Sequence, residues 1–260
     1  MSAKEIVDRP VKYTEGIYYI GTRNSPSWLI KGETGLIMID TAMPEDLDFI
    51  LNNFKLLGYD ICDVKHIIHS HGHIDHIGCT KEIVRISGAK TYIGYGDEDS
   101  VSGRNELQWT NEFNMPFDVA FEPDYVIKDG DERVIDGIKF RFVATPGHTA
   151  GVMSIFFTAF ENGNDYTVGM FGGAGLLSMS YNYLDKYSLP HSLRDTFLSS
   201  IQKVYFEKVD IHIGNHIGDN CHFDKLSRVG TSTNPFIDGS TWKTFLDNRY
   251  KLAVDFFKEN

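Results

Sequence analysis

Three histidines and an aspartate crowd into the stretch Ser70-His71-Gly72-His73-Ile74-Asp75-His76, directly after the apolar run Val64-Lys-His-Ile-Ile-His69. No other feature of the chain restricts its fold so sharply. A strand that ends on this many polar, titratable groups needs a common partner for them. Imidazole and carboxylate at such density suit zinc or a similar divalent ion. His71 and His73 are two apart, so in an extended segment they share one side and can chelate a single ion. Asp75 and His76 follow once the chain has begun to turn, which lets them face a second ion nearby.

Two later segments add donors. Thr145-Pro146-Gly147-His148-Thr149 follows a strand ending Phe142-Val143-Ala144, and its Pro-Gly turn presents His148 at a strand end. With the first motif present, His148 reads as a ligand. His216 stands just past the apolar run Val209-Asp-Ile-His-Ile, between Gly214 and Gly218, and is a third candidate. His212 falls inside that run and reads as core or as support for the ligands.

The rest of the pattern is strands first, with helices between. Ile17 to Gly21, Ser27 to Lys31 and Leu36 to Asp40 are short, apolar and β-favouring. Pro44 opens a helix in which Leu47, Ile50, Leu51 and Phe54 share one face, and Gly58 closes it. Further helices are expected over Thr80 to Ile86, around Leu193 to Val204 and from Ser240, where Trp242, Phe245, Leu246 and Leu252 form the apolar side. The turn Asp129-Gly130-Asp131 predicts a hairpin between Tyr125-Val-Ile-Lys and Arg133-Val-Ile. Asp97 to Pro123 reads as an irregular insertion. That alternation suggests two packed sheets with helices outside. Together with the segment near Trp28, the insertion is expected to shape the pocket.

Composition excludes several classes. Twenty-five Lys and Arg stand against 36 Asp and Glu, a formal charge of −11 that opposes non-specific nucleic-acid binding. No apolar run is long enough for a membrane helix. The start, Met1 to Asp8, lacks the apolar core of a secretory signal. A cytoplasmic location follows as the sequence stands, or a periplasmic or secreted one if a signal was removed. Cys62, Cys79 and Cys221 are too sparse for a disulfide framework; Cys62 and Cys79 read as small buried hydrophobes, Cys221 and His222 as loop packing.

The combination His71-x-His73-x-Asp75-His76, Pro-Gly-His148 and the late His216 resembles the metallo-β-lactamase superfamily over about residues 15 to 220. Asp40-Thr-Ala-Met-Pro44 and Asn234-Pro-Phe-Ile-Asp238 are similar to the lactamase subclass whose second zinc uses Asp and two His. The resemblance implies an α/β fold, the four-layer αβ/βα sandwich, as a single domain over 1–260. It implies two Zn(2+): His71, His73 and His148 for the first, Asp75, His76 and His216 for the second, with Asp40 supporting the His loop. Many superfamily members carry a bridging Asp, and another lactamase subclass a Cys, where this chain has Ala174 in Phe171-Gly-Gly-Ala-Gly175, so His216 is expected to complete the second site.

The implied activity is that of a zinc-dependent hydrolase using a metal-bridging hydroxide to open a cyclic amide, in the first place a β-lactam, with Asp75 carrying a proton. The alternative is a cytoplasmic lactone, ester or thioester hydrolase on the same dizinc centre. The partner is a small-molecule substrate, with neither nucleic acid nor membrane. Di-iron members of the superfamily carry Glu at the position of His73 and use the bridging Asp, which disfavours that class. A purely structural zinc site is disfavoured because such sites are closed and rich in Cys.

Overall fold

The computed structural model describes residues 9–230 and 233–260. The reading of Met1 to Asp8 as no secretory signal lies outside them. The first half of the chain runs β1 (Val11–Thr14), β2 (Ile17–Tyr19), β3 (Trp28–Lys31), β4 (Leu36–Ile39), α1 (Leu47–Leu57), β5 (Val64–Ile68), α2 (Ile74–Ile77), α3 (Thr80–Ser87), β6 (Lys90–Gly94), α4 (Glu98–Val101) and β7 (Tyr125–Ile127). Its strands form a seven-stranded sheet in sequence order. The second half runs β8 (Glu132–Ile135), β9 (Ile138–Ala144), β10 (Met153–Glu161), β11 (Asn164–Met170), α5 (Tyr181–Lys186), α6 (Leu193–Val204), β12 (Ile211–His212), α7 (His222–Leu226) and α8 (Ser240–Glu259). Its sheet has the order β12-β11-β10-β9-β8.

The two-residue period of the strands builds the layers. In β4, Ile37 and Ile39 join a core between the sheets with Trp28, Phe140, Phe142, Ile155 and Phe157. The intervening Leu36 and Met38 face the opposite way, onto Ile50 and Phe54 of α1 and Ile83 of α3. In the second sheet Phe156 turns away from Ile155 and Phe157 and packs with Phe197 and Ile201 of α6 and Trp242 and Phe245 of α8. Helices, sheet, sheet, helices is the four-layer αβ/βα sandwich.

Several expectations need correction. Residues 125–135 are no hairpin: β7 pairs in parallel with β6, its Tyr125 ring stacked on Tyr92, while β8 pairs with β9. The Asp129-Gly130 turn instead carries the chain from one sheet to the other. Cys62 is exposed, beside the carboxylate of Asp60 at a helix start. Leu252 is exposed, and Ala253 takes the buried place on α8. Trp28, near one of the loops expected to shape the pocket, is itself fully buried core. Among the described residues no helix is long and apolar enough to cross a membrane.

His212 is buried with its ring against Trp242 and Phe245, and among the described residues neither ring nitrogen has a hydrogen-bond partner. Burial pushes it down to about 3. The unfolded chain therefore binds a proton below pH ~6.5 that the folded chain refuses until pH nears 3. This contribution to stability is complete above pH ~6.5 and falls by about 1.4 kcal/mol per pH unit as pH drops through that window. Denaturant titrations from pH 7 to 4 should show His212→Leu losing less stability on acidification than the parent. Parallel pH profiles would contradict this.

Candidate metal centre

Asp40, Ser70 to His71 and Asp97 follow β4, β5 and β6, which run parallel, so all three emerge at one edge of the first sheet. From the second sheet, the β9–β10 turn brings His148, the end of β11 brings Gly172 to Gly175, and the loop after β12 brings His216 to the same edge. A crevice beyond strand ends is where layered α/β folds assemble sites.

Two groups that could each hold a metal ion result. Donor atoms of His71, His73 and His148 lie within 4.8 Å of one another, and so do those of Asp75, His76 and His216. The rings of His71 and His76, one from each trio, have centroids 4.0 Å apart, so the trios adjoin. Asp75 Oδ2 sits between His76 Nε2 at 3.4 Å and His216 Nε2 at 3.5 Å.

The rings are aimed by bonds on their far sides. His71 Nδ1 donates to Gly172 O at 2.9 Å, His148 Nδ1 to Gly175 O at 2.8 Å and His76 Nδ1 to Asp40 Oδ2 at 2.8 Å. With the proton on Nδ1, Nε2 carries the lone pair. The Nε2 atoms of both His71 and His76 are buried; among the described residues that of His71 has no hydrogen-bond partner, and that of His76 has only the Asp75 carboxylate beside it, 3.4 Å away. Buried imidazole nitrogens converging beside a carboxylate, with their other N–H held, fit a divalent transition metal.

Electrostatics sort the two trios. Burial, reinforced by neighbouring imidazoles, holds His71 and His73 well below their ordinary value, and burial keeps His148 at about 3. These three are neutral, the form that binds metal. Burial alone would also lower His76, but the carboxylates of Asp75 and Asp40 raise it to about 10, so without an ion it holds a second proton on Nε2, facing Asp75, that a bound metal would displace. Against the opposing effect of burial, His76, His216 and His73 hold Asp75 well below the usual carboxylate range.

Asp40, expected to support the His loop, lies against it. Fully buried, it accepts from Ser70 N at 2.8 Å, Ser70 Oγ at 2.7 Å and the His76 ring. Its φ of +59° is left-handed, a conformation Asp tolerates better than most residues.

Ala174 is buried with Phe171 and Phe197 and offers no donor. Its glycine neighbours have a role of their own: a Cβ on Gly173 or Gly175 would lie 2.8 or 2.7 Å from the His148 ring. The backbone thus passes directly under that imidazole and supplies the carbonyls that hold His71 and His148. Gly214 is similarly required, since a Cβ there would lie 2.3 Å from His216 O, whereas Gly218 faces open space. Trp28 donates from Nε1 to Gly214 O at 3.0 Å, and Asn215 Nδ2 donates to Ser70 Oγ at 3.0 Å, so the core steers the His216 loop.

A match to the family model described as the metallo-beta-lactamase superfamily covers residues 20–159, more than half the chain. The chain belongs to the metallo-β-lactamase superfamily. Among solved structures of the superfamily it is similar to BJP-1, a subclass B3 metallo-beta-lactamase of Bradyrhizobium japonicum, with a TM-score of 0.85 and 28% identity over 96% of this chain and 92% of that one. The native FEZ-1 metallo-beta-lactamase of Legionella gormanii, at TM-score 0.83 and 24% identity over 96% and 95%, shares the fold. Curated superfamily relatives include an N-acyl homoserine lactonase of Bacillus thuringiensis, 27% identical over 166 residues. Another is the probable metallo-hydrolase YflN of Bacillus subtilis, 25% identical over 154 residues. These matches span 62% and 55% of those relatives' lengths and 54% of this chain.

Three further residues were not anticipated as site residues. Trp109, with φ +71°, sets its ring 5.4 Å from His73 and stacks on Tyr183 at 4.8 Å, walling one side of the cleft from within the irregular insertion. Asp97, at the start of that insertion, is buried among loop backbones. Only an acid following a strand marked it in the sequence. His222, by contrast, packs away from the cleft against Tyr13 and Phe236.

Proposed function

We propose that this chain is a metal-dependent hydrolase, one metallo-β-lactamase-like domain over 1–260, that binds two zinc ions and opens a cyclic amide, a β-lactam in the first place. The observation that carries this reading is the pair of adjoining ligand trios, three imidazoles beside an Asp/His/His set, at one crevice edge. His71, His73 and His148 would hold one zinc and Asp75, His76 and His216 the other, and zinc so held supplies Lewis acidity that activates water and polarises a carbonyl.

The chain's own groups do the rest. Asp75, kept ionised between His76 and His216, is placed to accept a proton from the attacking water and return it to the departing nitrogen or oxygen. Gly172 and Gly175 carbonyls and Asp40 keep His71, His148 and His76 in the tautomers that leave Nε2 free. The Trp109–Tyr183 stack excludes water from the His73 side and offers an apolar face to a small-molecule substrate.

Likeness to a subclass B3 lactamase across nearly the whole chain supports the lactam. The lactonase among the curated relatives favours a second reading, a lactone, ester or thioester hydrolase on the same residues. Zinc-loaded protein assayed in parallel against a chromogenic cephalosporin, an acyl-homoserine lactone and a thioester separates them. Ring opening of the cephalosporin is expected. An intact cephalosporin beside an opened lactone or cleaved thioester would replace the first reading with the second.

A further inference from the structure

Beside the three-histidine trio, one carboxylate joins loops from the two halves of the chain. Asp97 follows β6 and is 2% exposed. Its Oδ2 accepts from Gly72 N at 2.8 Å and from Thr149 Oγ1 at 2.6 Å, and its Oδ1 accepts from Gly151 N at 2.8 Å. Gly72 lies between His71 and His73, and Thr149 follows His148. One carboxylate is therefore bonded to both loops that supply the three-histidine trio, one from each sheet.

Local sequence makes this closeness possible. A Cβ on Gly94 would lie 1.9 Å from Gly151 O, and one on Gly151 would lie 2.6 Å from Asp97 N. Gly96, at φ +109°, passes against Ala150. Without side chains at these points the two backbones touch, and the aspartate fills the angle between them. Asp97 also lines, with His73 and His148, the small cavity behind those rings.

We propose that Asp97 is a positioning residue that sets the spread of the His71, His73 and His148 donors. It acts by holding Gly72 and the Thr149–Gly151 segment on one carboxylate, and its loss selectively weakens divalent-cation binding at that trio. The inference rests on the reading of the trio as a metal site. An amide in place of the carboxylate cannot accept all three bonds: its NH2 would face a backbone N–H, from Gly72 or from Gly151. One loop is then released while the side-chain volume is unchanged. Asp40, tied to His76 and Ser70, leaves the Asp75, His76 and His216 trio supported.

The test is zinc competition between full-length metal-free protein and a chromophoric chelator, which resolves stepwise constants, for the parent, Asp97→Asn and Thr149→Val. Asp97→Asn should lower one constant by about 10- to 100-fold, the range for lost ligand support, and leave the other nearly unchanged. Thr149→Val, which removes one of the three bonds and keeps the carboxylate, should lower the same constant by a smaller factor. It also keeps the question answerable if Asp97→Asn folds poorly. In cobalt-substituted protein the visible d–d bands of the variants should shift, because ligand angles set them, a change that general destabilisation does not produce. Unchanged constants and bands in either folded variant overturn the inference, as does an equal fall in both constants. Two zinc ions held by the parent with both constants intact in the variants defeat this inference alone. A parent that takes up no zinc defeats the functional reading with it.

Discussion

Dialysis of the protein against a strong chelator is expected to abolish hydrolysis, and added zinc to restore it. The expected loss is on the order of 10³-fold or more, since activation of water and polarisation of the carbonyl both depend on the bound ions. Two serine hydroxyls lie against cleft imidazoles, and neither offers a substitute nucleophile: Ser70 Oγ, 3.1 Å from His71 Nδ1, is buried and donates to Asp40 Oδ2 at 2.7 Å. Ser178 Oγ, 3.1 Å from His148 Nδ1, donates instead to His148 O at 2.8 Å, and that Nδ1 already donates to Gly175 O. With His71 Nδ1 held by Gly172 O and His148 Nδ1 by Gly175 O, neither ring nitrogen is poised to take a serine proton. Undiminished turnover by verified metal-free protein would contradict the mechanism.

Asp40→Asn should damage the second trio nearly as severely. Asn tolerates the left-handed backbone at this position, so the substitution tests chemistry rather than strain. Its amide NH2 facing His76 favours the tautomer with the proton on Nε2, the atom meant to bind metal. Zinc affinity at one site should fall by about 10- to 100-fold. Stability should drop by about 1 to 3 kcal/mol, because buried donors of Ser70 lose an acceptor. Denaturant unfolding and zinc competition measure the two effects; parental values for both would refute the role given to Asp40.

The His-rich loop was legible because chelation by neighbours in sequence needs no knowledge of the fold. His148 and His216 were legible through the Pro-Gly and Gly signals beside them, although only Gly214 of the glycines flanking His216 proves to be required. The layers were legible because apolar strands with two buried faces have few ways to pack. What failed were choices made by tertiary contact. Residues 125–135 carry good hairpin chemistry, yet Tyr125 to Ile127 finds its partner in β6. Asp97 was marked only by its place after a strand, because its partners are backbone N–H groups and a hydroxyl brought from two distant loops, which leave no mark in composition or spacing.

The claim on which everything turns is that the chain builds two separate ligand trios, the second completed by His216. Zinc content by elemental analysis, for the parent and for His216→Ala, His212→Ala and His222→Ala, tests it most directly. The parent should hold two ions per chain. His216→Ala should fall towards one, because a trio reduced to Asp75 and His76 holds its ion weakly. His212 and His222 lie buried against Trp242 and Tyr13, so their loss should leave the count at two. Two ions retained in His216→Ala, with one lost in His212→Ala or His222→Ala, would contradict the account.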